Sequence, residues 1–92
     1  MKYEIKASAT FRRELKKIRK QNKDMSTMQY VVDTLASGEP LPAKYRDHEL
    51  KGNYKGCREC HVQPDWLLIY QIDENVLRLY LLRTGSHSEL LP

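Results

Sequence analysis

The chain has 92 residues with 40% apolar side chains, enough for one small core and too short for two domains of ordinary size, which cluster near about 100–150 residues. Its longest nearly apolar run, Trp66–Ile72, falls far below the ~20 residues that a membrane-spanning helix needs. Sixteen Lys and Arg against twelve Asp and Glu leave a formal charge of +4, which suits a polyanion such as nucleic acid or an acidic protein and does not choose between them.

Residues Met1–Lys6 alternate charged and apolar side chains, and the alternation predicts a half-buried strand carrying Tyr3 and Ile5 on one side. The segment lacks the apolar stretch of about 7–15 residues typical of a secretory signal, so the expected location is the cytoplasm. Two cysteines cannot build a disulfide framework, and packing has to supply the core. Ser8 is placed to cap a helix in which Phe11, Leu15 and Ile18 recur at helical spacing. Arg12, Arg13, Lys16, Lys17, Arg19 and Lys20 cover the rest of that helix; a solvated face is the commonest role for such a run, and a polyanion-binding surface is the alternative.

A second helix starts at Asp24 or Ser26, with Ser26 and Gln29 spaced as a capping box and Met25, Met28, Val31, Val32 and Leu35 as the apolar stripe. Gly38 and Pro40 end it, and the two helices should pair as a hairpin across their short polar turn. Glu39–Asn53 shows no sustained period and reads as one long connecting loop that contains His48; loops of that length tend to be functional. Beyond Gly56, Arg58, Cys60 and Val62 alternate with Cys57, Glu59 and His61, then Pro64-Asp65 supplies a turn. Trp66–Ile72 reads as a central strand covered on both faces, Asp73-Glu74-Asn75 as a turn, and Val76–Leu82 as the last strand. The expected architecture is α+β: an N-terminal strand, a two-helix hairpin and a three-stranded antiparallel meander in one sheet, with the helices on one face and the other face left for function.

The three histidines, His48, His61 and His87, lie at predicted turns and strand ends, where Asp65 and Arg83 also fall. Imidazole titrates near pH 6.5 and can both take and give a proton at neutral pH. A tight turn brings His61 and Asp65 onto facing strand ends, the next strand brings Arg83 alongside, and His87 can fold back over the same face. Base, acid and guanidinium together suffice for RNA cleavage: the base deprotonates a 2′-hydroxyl, its oxygen attacks the adjacent phosphorus, the acid protonates the departing 5′-oxygen and the cation offsets the added charge. This route calls for no cofactor. Cys57-Arg58-Glu59-Cys60-His61 matches a c-type haem attachment pattern, but strand alternation sends its two sulfurs to opposite faces. A zinc site from Cys57, Cys60, His61 and His48 meets the same objection. Trp66 and Tyr70 offer rings for base stacking, with Tyr70 the one assigned to the core.

Leu41–Gly52, Cys60–Tyr70 with its His61, Pro64, Asp65 and Trp66, and Leu82–Leu90 with Arg83, Thr84, Gly85 and His87 together resemble the YafQ-type branch of the RelE-like toxins of bacterial type II toxin–antitoxin modules. The resemblance covers nearly the whole chain. It implies a single RelE-like domain over residues 1–92 and an mRNA endoribonuclease that enters the A site of the 70S ribosome, cleaves the codon there without a metal, and is silenced by a cognate antitoxin. It also implies site residues at His48, His61, Asp65, Trp66, Arg83 and His87. The family's common phenylalanine after Leu90 is Leu91 here, which removes a ring available for base contact. Arg12, Arg13, Lys16, Lys17 and Lys20 are then assigned to ribosomal RNA or an acidic antitoxin segment. Other readings are a non-catalytic RNA- or ribosome-binding module of the same fold, a gyrase-poisoning toxin of the ParE kind, which lacks this His and Asp set, and a zinc-organised domain.

Overall fold

A computed structural model describes residues 1–91. In chain order it has strand β1 (Glu4–Ala7), helices α1 (Ala9–Arg19) and α2 (Met25–Ala36), strands β2 (His48–Glu49), β3 (Arg58–Gln63), β4 (Trp66–Asp73) and β5 (Arg78–Gly85), and a closing helix α3 (His87–Leu90). Ser8 caps α1 as its position predicts: its Oγ accepts from the Phe11 amide at 2.9 Å and donates to the Leu82 carbonyl at 2.9 Å, so one hydroxyl starts the helix and fastens it to β5. Asp24 caps α2 by accepting from the Ser26 amide at 2.9 Å. The anticipated Ser26–Gln29 box does not form, because the charged carboxylate two residues earlier takes the amide, and Gln29 donates to Asp33 instead at 2.9 Å.

The strands form one five-stranded sheet in the order β1-β5-β4-β3-β2. β1 runs parallel to β5 and all other pairs are antiparallel. Both helices lie on one face, α1 chiefly against β5 and α2 chiefly against β3. Between them, Phe11, Ile18, Val31 and Leu35 meet Trp66, Leu68, Tyr70 and Leu79 in the main core. The four β4 and β5 members are fully buried, each worth roughly 1.5–3 kcal/mol relative to exposure.

Three features depart from the sequence pattern. Glu39–Asn53 is not one structureless loop: it contains a 3-10 turn at Ala43–Tyr45 and the two-residue β2, and a second 3-10 turn follows at Gly52–Tyr54. A two-residue strand carries no period of its own; it exists through its pairing with β3. Val76 and Leu77 belong to the β4–β5 turn, where Leu77 has φ 53°, so β5 starts at Arg78 and extends to Gly85. The second sheet face is not wholly open either. Leu67, Ile69 and Leu90 form a smaller apolar cluster there, joined by Leu50, Tyr54, Cys57 and Leu82, and a cleft remains open at the margin beside the β3–β4 turn.

Two one-residue bulges shape that margin. His61 pairs Leu67 and Gln63 pairs Trp66, leaving Val62 extra in β3 and closing the hairpin with the tight turn Pro64-Asp65. Ile69 pairs Arg83 and Tyr70 pairs Leu81, leaving Leu82 extra in β5. Alternation from Leu79 and Leu81, both in the main core, would send Arg83 under the helices; the bulge resets it to the opposite face. His48, Glu59, Ile69 and Arg83 therefore stand in one row across four strands.

Below this row the buried Thr84 Oγ1 accepts from Trp66 Nε1 at 2.8 Å and donates to the Leu67 carbonyl at 2.7 Å. Thr84→Val keeps the shape and strands the indole N–H in the core. It should lower the unfolding free energy by roughly 1–3 kcal/mol, read as a reduced denaturation midpoint with an unchanged far-ultraviolet spectrum.

Candidate active site

His48 is held from two directions. Arg46 adopts a left-handed conformation at φ 51° that turns the chain into β2, and its carbonyl accepts from His48 Nδ1 at 2.7 Å. Between them Asp47 is anchored by the Tyr70 hydroxyl and by Arg58 Nε at 3.2 Å. With Nδ1–H committed to a carbonyl, Nε2 is the other working edge of the ring, and it lies 3.5 Å from Glu59 Oε1. The ring remains half-exposed.

His61, on β3, lies between the other two imidazoles. Its ring centroid is 6.5 Å from that of His48 and 5.1 Å from that of His87, the latter edge-on at 68°. Burial pushes its pKa below the usual histidine value; Glu59, 3.8 Å from Nε2, pulls the other way, and His87, Arg46 and His48 add to the lowering. At neutral pH this imidazole is therefore held in its basic form.

His87 opens α3. Ser86 and Glu89 form a full capping box, so the four-residue helix is fixed at its start by its own side chains. Asp65 Oδ1 accepts from both the His87 amide at 3.0 Å and His87 Nδ1 at 2.7 Å. These bonds from His87 hold the Asp65 carboxyl below its ordinary range. Nδ1–H bound to a carboxylate leaves Nε2 to face a substrate, the orientation that a proton-transferring histidine needs. Lys17 reaches Glu89 at 3.2 Å, but both groups are exposed and the pair adds little.

His48, His61, Asp65 and His87 thus meet at one margin of the sheet, where His61 and His87 line a cleft of about 690 Å³ together with Lys44, Arg46 and Gln63. Arg83 shares the face but is engaged elsewhere: Glu14 holds it with a closest contact of 2.7 Å, and Tyr54 Oη accepts from it at 3.1 Å. Hydrogen bonding to Glu14 pushes its pKa further up. β5 lies two strand spacings, about 10 Å, from β3, so the guanidinium stands at the side of the cluster.

Trp66 does not stack on anything from outside. It is fully buried in the main core, because it shares the two-residue period of β4 with Leu68 and Tyr70, and its part is to support the turn that carries Asp65. Leu91 is exposed just past α3 and its amide donates to the His87 carbonyl at 2.8 Å. Arg12, Arg13, Lys16, Lys17 and Lys20 are all exposed on α1 and at its end. Past that helix's end, Gln21 and Lys23 share a smaller cleft with Asp65 and Ser86, which joins the basic surface to the site. Cys57 and Cys60 are free and lie in the two clusters on opposite sheet faces, as alternation requires, so they do not converge on one metal or haem. Glu59, buried behind His48 and His61, escapes sequence reasoning: alternation groups it with the outward residues of β3, and only the pairing with β2 covers it.

Comparison with known proteins adds an independent line. The family "Bacterial toxin of type II toxin-antitoxin system, YafQ" matches residues 3–92. The mRNA interferase toxin YafQ of Escherichia coli (strain K12) is 41% identical over 88 residues, covering 95% of this chain and 94% of that protein. Among solved structures, the E. coli DinJ-YafQ complex superposes with a TM-score of 0.90 at 38% identity, covering 98% of this chain and 99% of the other. A metal-bound toxin from Helicobacter pylori superposes with a TM-score of 0.91 at 46% identity, covering 99% and 100%.

Because the Asp65 carboxyl is depressed, its grip on α3 is present above the ordinary carboxylate range and fades as pH falls through the lowered value. Asp65→Asn should remove that dependence. Hydrogen exchange at the His87 amide is expected to be several-fold faster in the variant at neutral pH, converging with the wild type in acid.

Proposed function

The chain belongs to the YafQ toxins of bacterial type II toxin–antitoxin systems, and from that membership we propose that it is an mRNA interferase: an endoribonuclease that cuts the codon in the ribosomal A site through metal-independent attack by the 2′-hydroxyl, and that a cognate antitoxin silences. The observation that carries the reading is the convergence of three imidazoles on one margin, two of them 5.1 Å apart and one of these bound to a carboxylate at 2.7 Å. A single RelE-like domain accounts for all of it.

The roles follow from which ring nitrogens are free. His87, with Nδ1–H held by Asp65, presents Nε2 to protonate the departing 5′-oxygen. His61, kept neutral by burial, and His48 beside it stand on the opposite flank, where the 2′-hydroxyl proton is taken. Asp65 acts through His87, since the oxygen nearest the cluster is already bound. Arg83 offers its outer guanidinium edge to the phosphate while Glu14 fixes its plane. Leu91, exposed just past α3, has an aliphatic side chain where the family commonly places a phenylalanine, so any base contact it makes is by apolar packing alone. The bond from 2′-oxygen to phosphorus forms as the bond to the 5′-oxygen breaks, leaving a 2′,3′-cyclic phosphate and a 5′-hydroxyl. No further reactant enters.

Affinity for the ribosome is assigned to Arg12, Arg13, Lys16, Lys17 and Lys20, a basic face that also suits an acidic antitoxin segment; the DinJ-YafQ structure is a toxin held by its antitoxin. Lys and Arg contacts to phosphates release counterions, so binding by this face weakens steeply with salt.

Ribosomes programmed with mRNA and mapped at 5′ ends should show in-frame cuts that survive a chelator. His87→Ala should reduce cleavage by roughly 10²–10⁴-fold with the fold intact; binding without scission by the wild type would identify a non-catalytic module instead. The pH profile carries its own sign: the base must be unprotonated, and a lowered His61 value places the acid limb of the profile below the ordinary histidine range of about 6.5. Replacing Lys16 and Lys20 by Ala should flatten the salt dependence of ribosome binding by roughly one unit of log–log slope for each phosphate that is no longer neutralised.

A further inference from the structure

Glu59 is only 2% exposed, closed in by His48 on β2 and Ile69 on β4, its partners in register. A carboxylate taken out of water is costly unless it is paired and hydrogen-bonded. Here Oε2 has no hydrogen-bond partner among the described residues. Oε1 faces two imidazoles, with His48 Nε2 at 3.5 Å and His61 Nε2 at 3.8 Å, both beyond a good hydrogen bond. Packing alone would favour an apolar side chain here. The neighbours that give the charge a purpose are the two rings.

We propose that Glu59 is a positioning residue for the cleavage reaction: its buried carboxylate turns the Nε2 edges of His48 and His61 toward one oxygen and leaves Nδ1 of His61, a residue that lines the cleft, as the proton acceptor. The assignment rests on the nuclease reading above. It also separates two histidines that the sequence treats alike. His48 has Nδ1–H committed to the Arg46 carbonyl and Nε2 turned to Glu59, so both of its nitrogens face acceptors and neither is open to a substrate hydroxyl. His61 has one nitrogen toward Glu59, and no hydrogen bond occupies its Nδ1 among the described residues. When Nδ1 takes the proton of the 2′-hydroxyl, the positive charge that appears on the ring meets a negative charge already in place, so no solvent has to reorganise. As the phosphorus–5′-oxygen bond breaks, the leaving oxygen takes the proton that His87 brings to the step on Nε2, so His61 ends the step with one proton more and His87 with one fewer.

The groups that face His61 are Glu59 on its own strand, His48 on β2, Arg46 before β2, and His87 on α3. Glu59 is the only one of the four that favours the imidazolium, so its removal has a predictable sign. In free protein without RNA, Glu59→Gln should move the proton-NMR titration midpoint of His61 downward by about one pH unit, and Glu59→Asp should give a smaller downward shift. On programmed ribosomes Glu59→Gln should lower the single-turnover rate by roughly 10²-fold with KM little changed and the acid limb of the pH profile displaced downward, while Glu59→Asp recovers part of the rate. An active wild type whose His61 midpoint does not move in Glu59→Gln, or a glutamine variant of undiminished rate, overturns the assignment. If the glutamine variant does not fold, an unmoved midpoint in Glu59→Asp does the same. A wild type that leaves translated mRNA intact overturns the nuclease reading itself, which the titration in free protein does not depend on.

Discussion

The placement of every candidate residue depends on the two-residue period of β4 and on the two places where its neighbours slip against it. Side chains on a strand alternate strictly, so a sheet with helices on one face has a fixed allocation of inside and outside. The extra Val62 in β3, beside the hairpin turn, and the extra Leu82 in β5, opposite the middle of β4, break that allocation at two places. The first closes a hairpin whose tip carries Asp65, and the second turns Arg83 out from under α1. Bulges of this kind recur beside active sites because they re-aim a side chain without unpairing the whole strand. Here the regular part of the sheet holds the core, and the irregular part turns polar side chains out to the candidate site.

Much of this was legible from the amino-acid order. Ser8, the Phe11–Leu15–Ile18 stripe and the Met28–Leu35 stripe mark two helices whose apolar sides do face the sheet, because helix amphipathicity is a local record of where the core lies. The turn at Pro64-Asp65 and the division of Cys57 from Cys60 are local in the same sense. The existence of β2, the exact reach of β5 and the outward turn of Arg83 are not. Each depends on a strand or bulge partner far away in sequence, and a two-residue strand has too little pattern to announce itself.

Glu59 is the sharpest instance. Its neighbours Cys57 and His61 read as the outer face of β3, and a glutamate on an outer face needs no explanation. It becomes informative only when its partners in register, His48 on β2 and Ile69 on β4, are set beside it, at which point an ordinary surface residue turns into an enclosed charge beside two imidazoles. The family resemblance points to the histidines and to Asp65, since those stand in recognisable motifs; it is silent about what stands behind them. Arg83 shows the converse. Its position in the motif is legible, but its engagement with Glu14 and Tyr54 is a tertiary fact that converts a free cation into a fixed one.

The smallest helix has the widest reach. α3 is four residues long, far too short to persist alone, yet it carries the imidazole on one side of the cluster while the other two ride on the sheet. Its place on the sheet is held by Leu90, the capping box and Asp65, contacts that four residues of helix could not replace on their own. The third imidazole is thereby tied to the tip of the β3–β4 hairpin, and the other two to the strands themselves.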